Sequence, residues 1–269
     1  MSRIATTFER LKKENRKGFI PFITAGDPDL ESTENLLIAL GQAGATLIEL
    51  GVPFSDPMAD GPVIQRASER ALKHGFGIQA ILDTVFRARQ RIDTPIILFS
   101  YFNPLLQFGI DRLVSEAAGA GIDGTLVTDL APEEAGEFSA TLRSKDLDMI
   151  FLVAPTSTDA RLALIAEHAS GFIYAVSRRG VTGQQENISR EAEELVLRVK
   201  NFSQLPIAVG FGISNREQVL RTWQYADAAV VGSAIVAEIE RLDRSLDLIR
   251  RVISFVGNLL PQAERVSPR

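Results

Sequence analysis

Short apolar runs and longer helical patterns alternate along the chain from Gly18 to the C-terminus. The short runs have the length and the β-branched and aromatic composition of buried strands, and the stretches between them repeat apolar residues with a helical period. Eight strands are predicted, over Phe19–Thr24, Thr46–Leu50, Pro95–Ser100, Thr125–Thr128, Met149–Val153, Phe172–Val176, Ile207–Gly210 and Ala228–Val231. The predicted helices are Leu30–Ala43, Val63–His74, Ile78–Arg91, Ile110–Ala120, Glu133–Lys145, Ala160–His168, Arg190–Asn201, Arg216–Trp223, Ser233–Ile239 and Leu246–Leu259.

This alternation predicts the architecture. Strands that alternate with helices are joined by right-handed crossovers and pair in parallel. Eight such units in about 250 residues are typical of a closed (β/α)8 TIM barrel, an α/β fold, here with extra helices. An open, doubly wound sheet is the competing architecture, but its usual GxGxxG turn after the first strand is replaced by TAGDPD at residues 24–29. We therefore expect the barrel.

The same pattern predicts one domain over residues 1–269, because no linker, low-complexity tract or block of charge interrupts it. Ile4, Phe8 and Leu11 recur at i, i+4 and i+7 and predict an amphipathic cap helix over about residues 2–15. Residues 262–269 have the composition of a frayed tail.

Composition and charge exclude several classes of function. The 269 residues carry a net charge of -5, and Lys and Arg concentrate only between Arg10 and Lys17, which argues against nucleic-acid binding. The chain has no cysteine, so it has neither disulfides nor a thiolate nucleophile, and a reducing compartment is favoured. No apolar run reaches the roughly 18 residues of a spanning helix, and no signal-peptide core is present. We expect a cytoplasmic enzyme without membrane contact.

The second predicted strand contains the strongest candidate for chemistry. Residues 47–61 read LIELGVPFSDPMADG, so Glu49 lies inside an apolar run that breaks into a loop ending at Asp60. Burying an ionised carboxylate costs several kcal/mol unless something pairs with it or uses it. If Ile48 and Leu50 face the helices, alternation points Glu49 into the barrel mouth, where barrel enzymes place their chemistry. Asp60 is weaker alone, because Asp-Gly is also a common turn pair.

Glycines after strands six, seven and eight form a second signal. They lie in SRRGVTG at residues 177–183, in GFGIS at 210–214 and in GSAIV at 232–236. Any one of them alone is more often an ordinary turn glycine. Together, at consecutive strand ends and before a helix start, they favour a phosphate site of the kind that barrels build after strands seven and eight.

Two alternative mechanisms need residues that the sequence does not provide at suitable positions. A Schiff base needs a lysine on an inward strand position, yet every lysine falls in a helical or loop stretch. A metal needs converging ligands, and the two histidines, His74 and His168, lie at predicted helix ends. Proton transfer by two carboxylates remains, near a phosphate site and an apolar wall. Taken singly, a residue of this kind is more often an ordinary core residue. The candidates for the apolar wall are Phe22, Phe99, Tyr101, Leu126, Tyr174 and Phe211.

With these motifs together, the chain resembles the α subunit of tryptophan synthase from about Phe8 to the last helix. The match rests on LIELGVPFSDPMADGPVIQ at residues 47–65, FITAGDP at 22–28, and the three glycine motifs. The resemblance implies retro-aldol cleavage of indole-3-glycerol phosphate to indole and glyceraldehyde 3-phosphate. It also implies an α2β2 complex with a β subunit that carries pyridoxal phosphate and receives the indole, and no cofactor in this chain.

The resemblance also implies roles for individual residues. Glu49 would shuttle a proton between indole C3 and the glycerol hydroxyl, and Asp60 would hold the indole N–H. The implied phosphate-binding residues are Gly183, Phe211, Gly212, Gly232 and Ser233. The implied substrate pocket and lid comprise Phe22, Ile64, Phe99, Leu126, Tyr174 and Thr182, with Tyr101 beside them. The implied mobile loops are Pro53–Asp60 and Arg178–Asn187.

The partner face has support from the residues themselves, because Tyr101–Leu106 puts large apolar side chains into a predicted loop at the barrel mouth. The expected contact residues are Asn103, Pro104 and Leu105, to which the resemblance adds Pro53, Asp56, Asp129 and Pro132. Thr128, Phe99 and the short Trp223–Ala229 connection depart from the family pattern. A free-standing lyase and a non-catalytic barrel that activates a partner stay open as alternatives.

Overall fold

The computed structural model of the chain describes residues 1–176, 185–210, 212–243 and 245–261, with side chains from residue 190 onward in the second of these ranges. Its strands are β1 Gly18–Thr24, β2 Ile48–Gly51, β3 Ile96–Ser100, β4 Gly124–Val127, β5 Asp148–Val153, β6 Ile173–Val176, β7 Ile207–Gly210 and β8 Ala228–Val231. All eight pair in parallel in chain order, and β8 pairs with β1, which closes the barrel. The predicted (β/α)8 fold is confirmed.

Helices follow the strands and form the outer layer. They are α1 Arg3–Lys13, α2 Leu30–Gln42, α3 Pro62–Leu72, α4 Ile78–Arg89, α5 Phe102–Phe108, α6 Ile110–Ala120, α7 Gly136–Arg143, α8 Asp159–His168, α9 Gln185–Lys200, α10 Arg216–Thr222, α11 Ser233–Arg241 and α12 Leu248–Leu259. No helix in these described ranges is long and apolar enough to cross a membrane.

One prediction about this layer is wrong: the stretch after β3 is a helix rather than a loop. Pro104 is the third residue of α5, where its missing N–H is not needed for an intrahelical bond. The helix ends at Gly109, whose φ of 93° suits glycine. The Asp129 Oδ1 atom accepts a hydrogen bond from the Phe102 N–H at 2.7 Å and so ties the start of α5 to the loop after β4.

The amphipathic helix α1 closes the N-terminal end of the barrel. Its side chains Ile4, Phe8 and Leu11 are buried with the inward-facing residues of the strands, and the Phe8 ring contacts Phe172 at 5.8 Å between centroids. Ser2 caps the helix by accepting a hydrogen bond from the Ala5 N–H. Since this end is filled by side chains, the opposite end is the one that remains for a ligand.

Alternation along β2 sets the direction of Glu49. Ile48 and Leu50 are buried in the layer between the strands and the surrounding helices. Leu47, one residue before them, belongs to the cluster inside the barrel. Glu49 lies between Ile48 and Leu50 and therefore faces the interior, as the sequence predicts.

Candidate active site

Glu49 is a buried acid with an unpartnered oxygen. Its side chain is 1% exposed, and its Oε1 atom is fully buried with no hydrogen-bond partner. Burial raises the pKa of this carboxyl well above its ordinary value of 4.5. In register it lies between Phe22 of β1 and Ile97 of β3, so its nearest strand neighbours are apolar. A carboxyl in this setting holds its proton to a higher pH than an exposed glutamate does and can deliver it to a bound molecule.

An aromatic pair covers Glu49 on the side of the barrel mouth. The rings of Phe22 and Phe99 meet edge to face at 5.3 Å between centroids. The Phe22 ring extends over Gly51, where an added Cβ would lie 2.5 Å from the Phe22 Cζ atom. Gly51 is two residues beyond Glu49 on the same face of β2, so the ring lies above the carboxyl. The lack of a side chain at position 51 is what admits the ring.

Asp60 approaches the same mouth from the loop after β2. Burial raises its pKa from 3.8 to about 6, while a hydrogen bond from the Tyr101 hydroxyl opposes that rise. The loop is held at this point by the Ala59 N–H, which donates to the Tyr101 Oη atom at 2.8 Å. The Gln65 amide adds a second tie by donating to the Asp60 carbonyl at 2.9 Å.

Tyr174 faces Glu49 from β6. It is buried, and burial followed by the charge of Glu49 raises the pKa of its hydroxyl well above 10. Its Oη atom fills the space where a side chain at Gly210 would begin, since a Cβ there would lie 2.1 Å away. Gly210 therefore lets the tyrosine hydroxyl reach the interior beside β7.

Phe22, Phe99 and Asp60 border one pocket of about 230 Å³ at the C-terminal ends of β1, β2 and β3, and Glu49 and Tyr174 are buried in the barrel interior outside its lining. Its lining residues are Phe22, Thr24, Gly51, Val52, Asp60, Ile64, Ser68, Phe99, Ser100 and Tyr101. The structure thus brings together five of the predicted site residues. Leu126 is in register with Phe99 and is buried in the barrel interior, in the cluster that contains Tyr174.

Thr24 is a pocket residue that the sequence reasoning missed. Its Oγ1 atom is buried without a hydrogen-bond partner, so the pocket wall contains a free hydroxyl beside Asp60 and Ser100. The signal was available, because Thr24 follows Phe22 by two residues and must face the same side of β1.

The predicted phosphate site is described in part. Gly232 and Ser233 begin α11, whose start has no side-chain cap, and Gly212 has a φ of 70° and open space around its Cα. The α11 helix thus presents free N–H groups and the positive end of its dipole. Gly183, Phe211 and Thr182 lie outside the described residues, as does most of the second predicted loop.

The predicted partner residues divide by exposure. Asp56, Asn103 and Asp129 are exposed and Pro104 is partly exposed. Pro53, Leu105 and Pro132 are buried, so their side chains are not free for a partner in this structure. Leu105 packs in the core, whereas the next residue, Leu106, is 52% exposed, because α5 turns one apolar side chain inward and the other outward.

Neither histidine lies near the pocket. The His74 Nε2–H group donates to the Pro28 carbonyl at 2.7 Å, and His168 ends α8. Among the described residues, no three His, Asp or Glu side chains converge as metal ligands.

The sequence of this chain is similar to those of known proteins over nearly its whole length. The family model of the tryptophan synthase alpha chain matches residues 8–263. The alpha chain of Solibacter usitatus is 48% identical over 259 residues, covering 96% of this chain and 97% of the relative. The alpha chain of Geotalea uraniireducens is 50% identical over the same length, with the same coverage.

Solved structures of tryptophan synthase alpha chains have the same fold as this chain. Subunit alpha from Legionella pneumophila superposes with a TM-score of 0.89 at 39% identity, covering 96% of this chain and 97% of that one. A chain of the tryptophan synthase complex from Pyrococcus furiosus gives 0.83 at 40% identity, covering 90% and 97%. The family match spans nearly the whole barrel, including the strand that carries Glu49 and the loop that carries Asp60. This chain belongs to the tryptophan synthase alpha chain family.

Proposed function

We propose that Glu49 and Asp60 carry the acid–base steps by which this chain cleaves indole-3-glycerol phosphate to indole and glyceraldehyde 3-phosphate. As a member of its family the chain is a carbon–carbon lyase of tryptophan biosynthesis. The observation that supports the residue assignment is the unpartnered Glu49 carboxyl, buried in an apolar barrel below a pocket that contains Asp60. A buried acid without a structural partner stabilises nothing by itself, which favours a role in proton transfer.

The reaction needs two proton transfers at neighbouring atoms. Protonated Glu49 gives its proton to indole C3, and the ring becomes a cation with its charge at the ring nitrogen. Asp60 accepts a hydrogen bond from the ring N–H and stabilises that charge. The Glu49 carboxylate then removes the proton of the hydroxyl on the adjacent carbon. That carbon becomes an aldehyde as its bond to C3 breaks, and the electron pair restores the indole ring.

The raised pKa values suit these roles. Glu49 keeps a proton to give because burial disfavours its ionised form. Asp60, at about 6, is ionised at neutral pH and can face a cation. The ring system itself takes up the electrons, so this chain supplies the chemistry with side chains alone.

Space in the pocket must change when the substrate binds. The Phe22 ring lies between the pocket and Glu49, so its rotation or displacement would open the path to the carboxyl. We place the phosphate of the substrate at Gly212, Gly232 and Ser233, where the start of α11 offers N–H donors.

Members of this family work with a β subunit, and a Pyrococcus furiosus relative is described in an α2β2 complex with mutual activation. We propose the same α2β2 assembly here, with pyridoxal phosphate in the β subunit and indole passing to it. The exposed side chains of α5 and of the loop before Asp60 support this docking face. We also propose a cytoplasmic location, because a chain without cysteine suits a reducing compartment.

A cleavage assay tests the proposal against its alternatives. Indole release from indole-3-glycerol phosphate would be measured with the isolated chain and with a saturating tryptophan synthase β subunit. Slow release alone and large stimulation by the β subunit are expected. Full activity alone would favour a free-standing lyase. No release under either condition would favour a barrel that only activates its partner and would contradict the proposed reaction.

A further inference from the structure

Tyr101 joins two segments of the barrel mouth. It lies between the end of β3 and the start of α5, and it is 5% exposed. Its hydroxyl accepts a hydrogen bond from the Ala59 N–H at 2.8 Å, its interaction with the Asp60 carboxyl opposes the rise in the pKa of that group, and its ring contacts Phe54 at 5.3 Å between centroids. One side chain therefore fixes the position of the loop that presents Asp60.

Each of the two joined segments exposes an apolar side chain at the barrel mouth. Met58 in the loop is 84% exposed and Leu106 on α5 is 52% exposed. Met58 precedes the residue whose N–H binds Tyr101, and Leu106 lies on the helix that begins immediately after Tyr101. A protein that covers both side chains touches both sides of the Tyr101 connection at once.

The backbone fixes Tyr101 to α5 more firmly than to the loop. The Phe102 N–H is held by Asp129 at 2.7 Å, and Leu105 anchors the helix in the core. The Tyr101 ring has a rigid length, so a shift or tilt of the start of α5 moves its hydroxyl by a similar distance. The hydroxyl holds the loop through the Ala59 N–H, and because Asp60 is the next residue, its carboxyl moves with that hydrogen bond.

We propose that Tyr101 is a positioning residue that transmits docking of the β subunit on α5 to Asp60, by moving the loop 53–60 through its hydroxyl. This inference rests on the proposed function and adds to it the route by which the partner raises the rate of cleavage. Tyr101 acts through Asp60 and does not itself exchange a proton with the substrate.

The test compares Tyr101→Phe with the unchanged chain, each alone and with a saturating β subunit. The ring and its contact with Phe54 remain in the variant, but the hydrogen bond with the Ala59 N–H and the interaction with Asp60 are lost. We expect stimulation of kcat by the β subunit to fall about tenfold or more, because an interaction with a charged group is worth that factor. The KM of the substrate and the Kd of the β subunit should each stay within about threefold.

Two control variants separate the hydroxyl from its surroundings. Tyr174→Phe removes a hydroxyl on β6, away from α5, so activity should change by a similar factor with and without the β subunit, leaving the stimulation ratio as it is. Phe54→Leu weakens the ring contact but keeps the hydroxyl, and should retain at least half of the stimulation. Thermal unfolding of each variant establishes that it is folded.

The outcomes are distinct. Stimulation of Tyr101→Phe within twofold of the unchanged chain overturns this inference, as does a loss of β-subunit affinity that accounts for the lost activity. Equal loss in Phe54→Leu also overturns it, because packing would then explain the effect. Failure of the unchanged chain to cleave the substrate overturns the proposed function itself, and this inference with it.

Discussion

Asp123 and Glu49 are buried carboxyl groups near opposite ends of the barrel, and they differ in their hydrogen-bond partners. At the N-terminal end Asp123 accepts hydrogen bonds from the Ile96 N–H at 2.8 Å and from Arg89 at 3.0 Å, and it pairs with Arg3 of α1. At the mouth the Glu49 carboxyl has an oxygen without a partner. Burial raises the pKa of both groups, but at Asp123 the N–H and the two guanidinium groups oppose the rise.

The contrast shows that burial alone does not identify a functional acid. Asp123 closes the base of the barrel and ties α1, α4 and β3 together, which stabilises the fold. Glu49 offers the fold no such connection and weakens it when ionised. An acid whose charge is costly and unpaired is the one to assign to chemistry, and its position at the C-terminal strand ends agrees.

The largest expected effect comes from Glu49→Gln, which keeps the shape of the side chain and removes its proton. Cleavage of indole-3-glycerol phosphate should fall by at least about a thousandfold, because both proton transfers pass through this carboxyl. Single-turnover assays with the β subunit measure it. Asp123→Asn is the matched change at the other end and should keep cleavage within about threefold. Equal losses of activity in the two variants would contradict the assignment of catalysis to Glu49 and of a structural role to Asp123.

Asp60→Asn is expected to lower kcat by about ten- to a hundredfold at pH 7.5, because a neutral amide cannot stabilise the ring cation as a carboxylate does. In the unchanged chain the rate should decline as pH falls through about 6, where Asp60 takes up a proton. The pH profile of kcat measures both effects, and Asp60→Asn should lack the decline near 6. If only KM changes in this variant, Asp60 binds the substrate without assisting the reaction.

Substitutions of Glu49 and Asp123 are expected to change the free energy of unfolding in opposite directions. The folded-state pKa of Glu49 is above its unfolded value of 4.5, so wild-type stability falls as pH rises from 4.5 toward the folded pKa. Glu49→Gln should therefore raise the free energy of unfolding at pH 8 and change it little below pH 4.5.

Asp123→Asn should instead lower the free energy of unfolding by about 1–3 kcal/mol at pH 8, because Arg89 and Arg3 lose their carboxylate. Urea denaturation at the two pH values measures both variants. A stabilising Asp123→Asn or a destabilising Glu49→Gln at pH 8 would contradict the distinction between the two carboxyl groups.

The smallest expected effect belongs to Ser233→Ala at the start of α11. The KM for indole-3-glycerol phosphate should rise about three- to tenfold with kcat within twofold, because the phosphate loses one neutral hydrogen bond. Ser203→Ala, in the turn after α9 at the opposite end, is the control and should change neither constant. A change in kcat alone would argue against a phosphate at this helix start.

Most of the fold could be predicted because its signals are local. The bounds of β7 and β8 are those expected from apolar runs between turn residues, and the inward direction of Glu49 follows from alternation along four residues. Helix α9 begins at Gln185, five residues before its predicted start, because a polar first turn has no apolar period to reveal it. The single domain over residues 1–269 stays a prediction.

The contacts of the site were harder to predict, because they join distant segments. Tyr101 and Ala59 are 42 residues apart, and their hydrogen bond depends on the register of β2 with β3. The helix α5 was missed because seven residues containing Asn103 and Pro104 have the composition of a turn. Burial of Leu105 beside an exposed Leu106 is decided by packing of that helix, which a sequence read as a loop cannot show.

The titration of Glu49 itself tests the central claim most directly. Chain labelled with ¹³C at glutamate carboxyls would be followed by NMR across pH, and Glu49→Gln would identify the resonance by its loss. The account predicts a carboxyl that titrates well above 4.5 in the folded protein. A Glu49 carboxyl that titrates at or below 4.5 would show that it is paired or solvated, and would contradict its role as the proton donor.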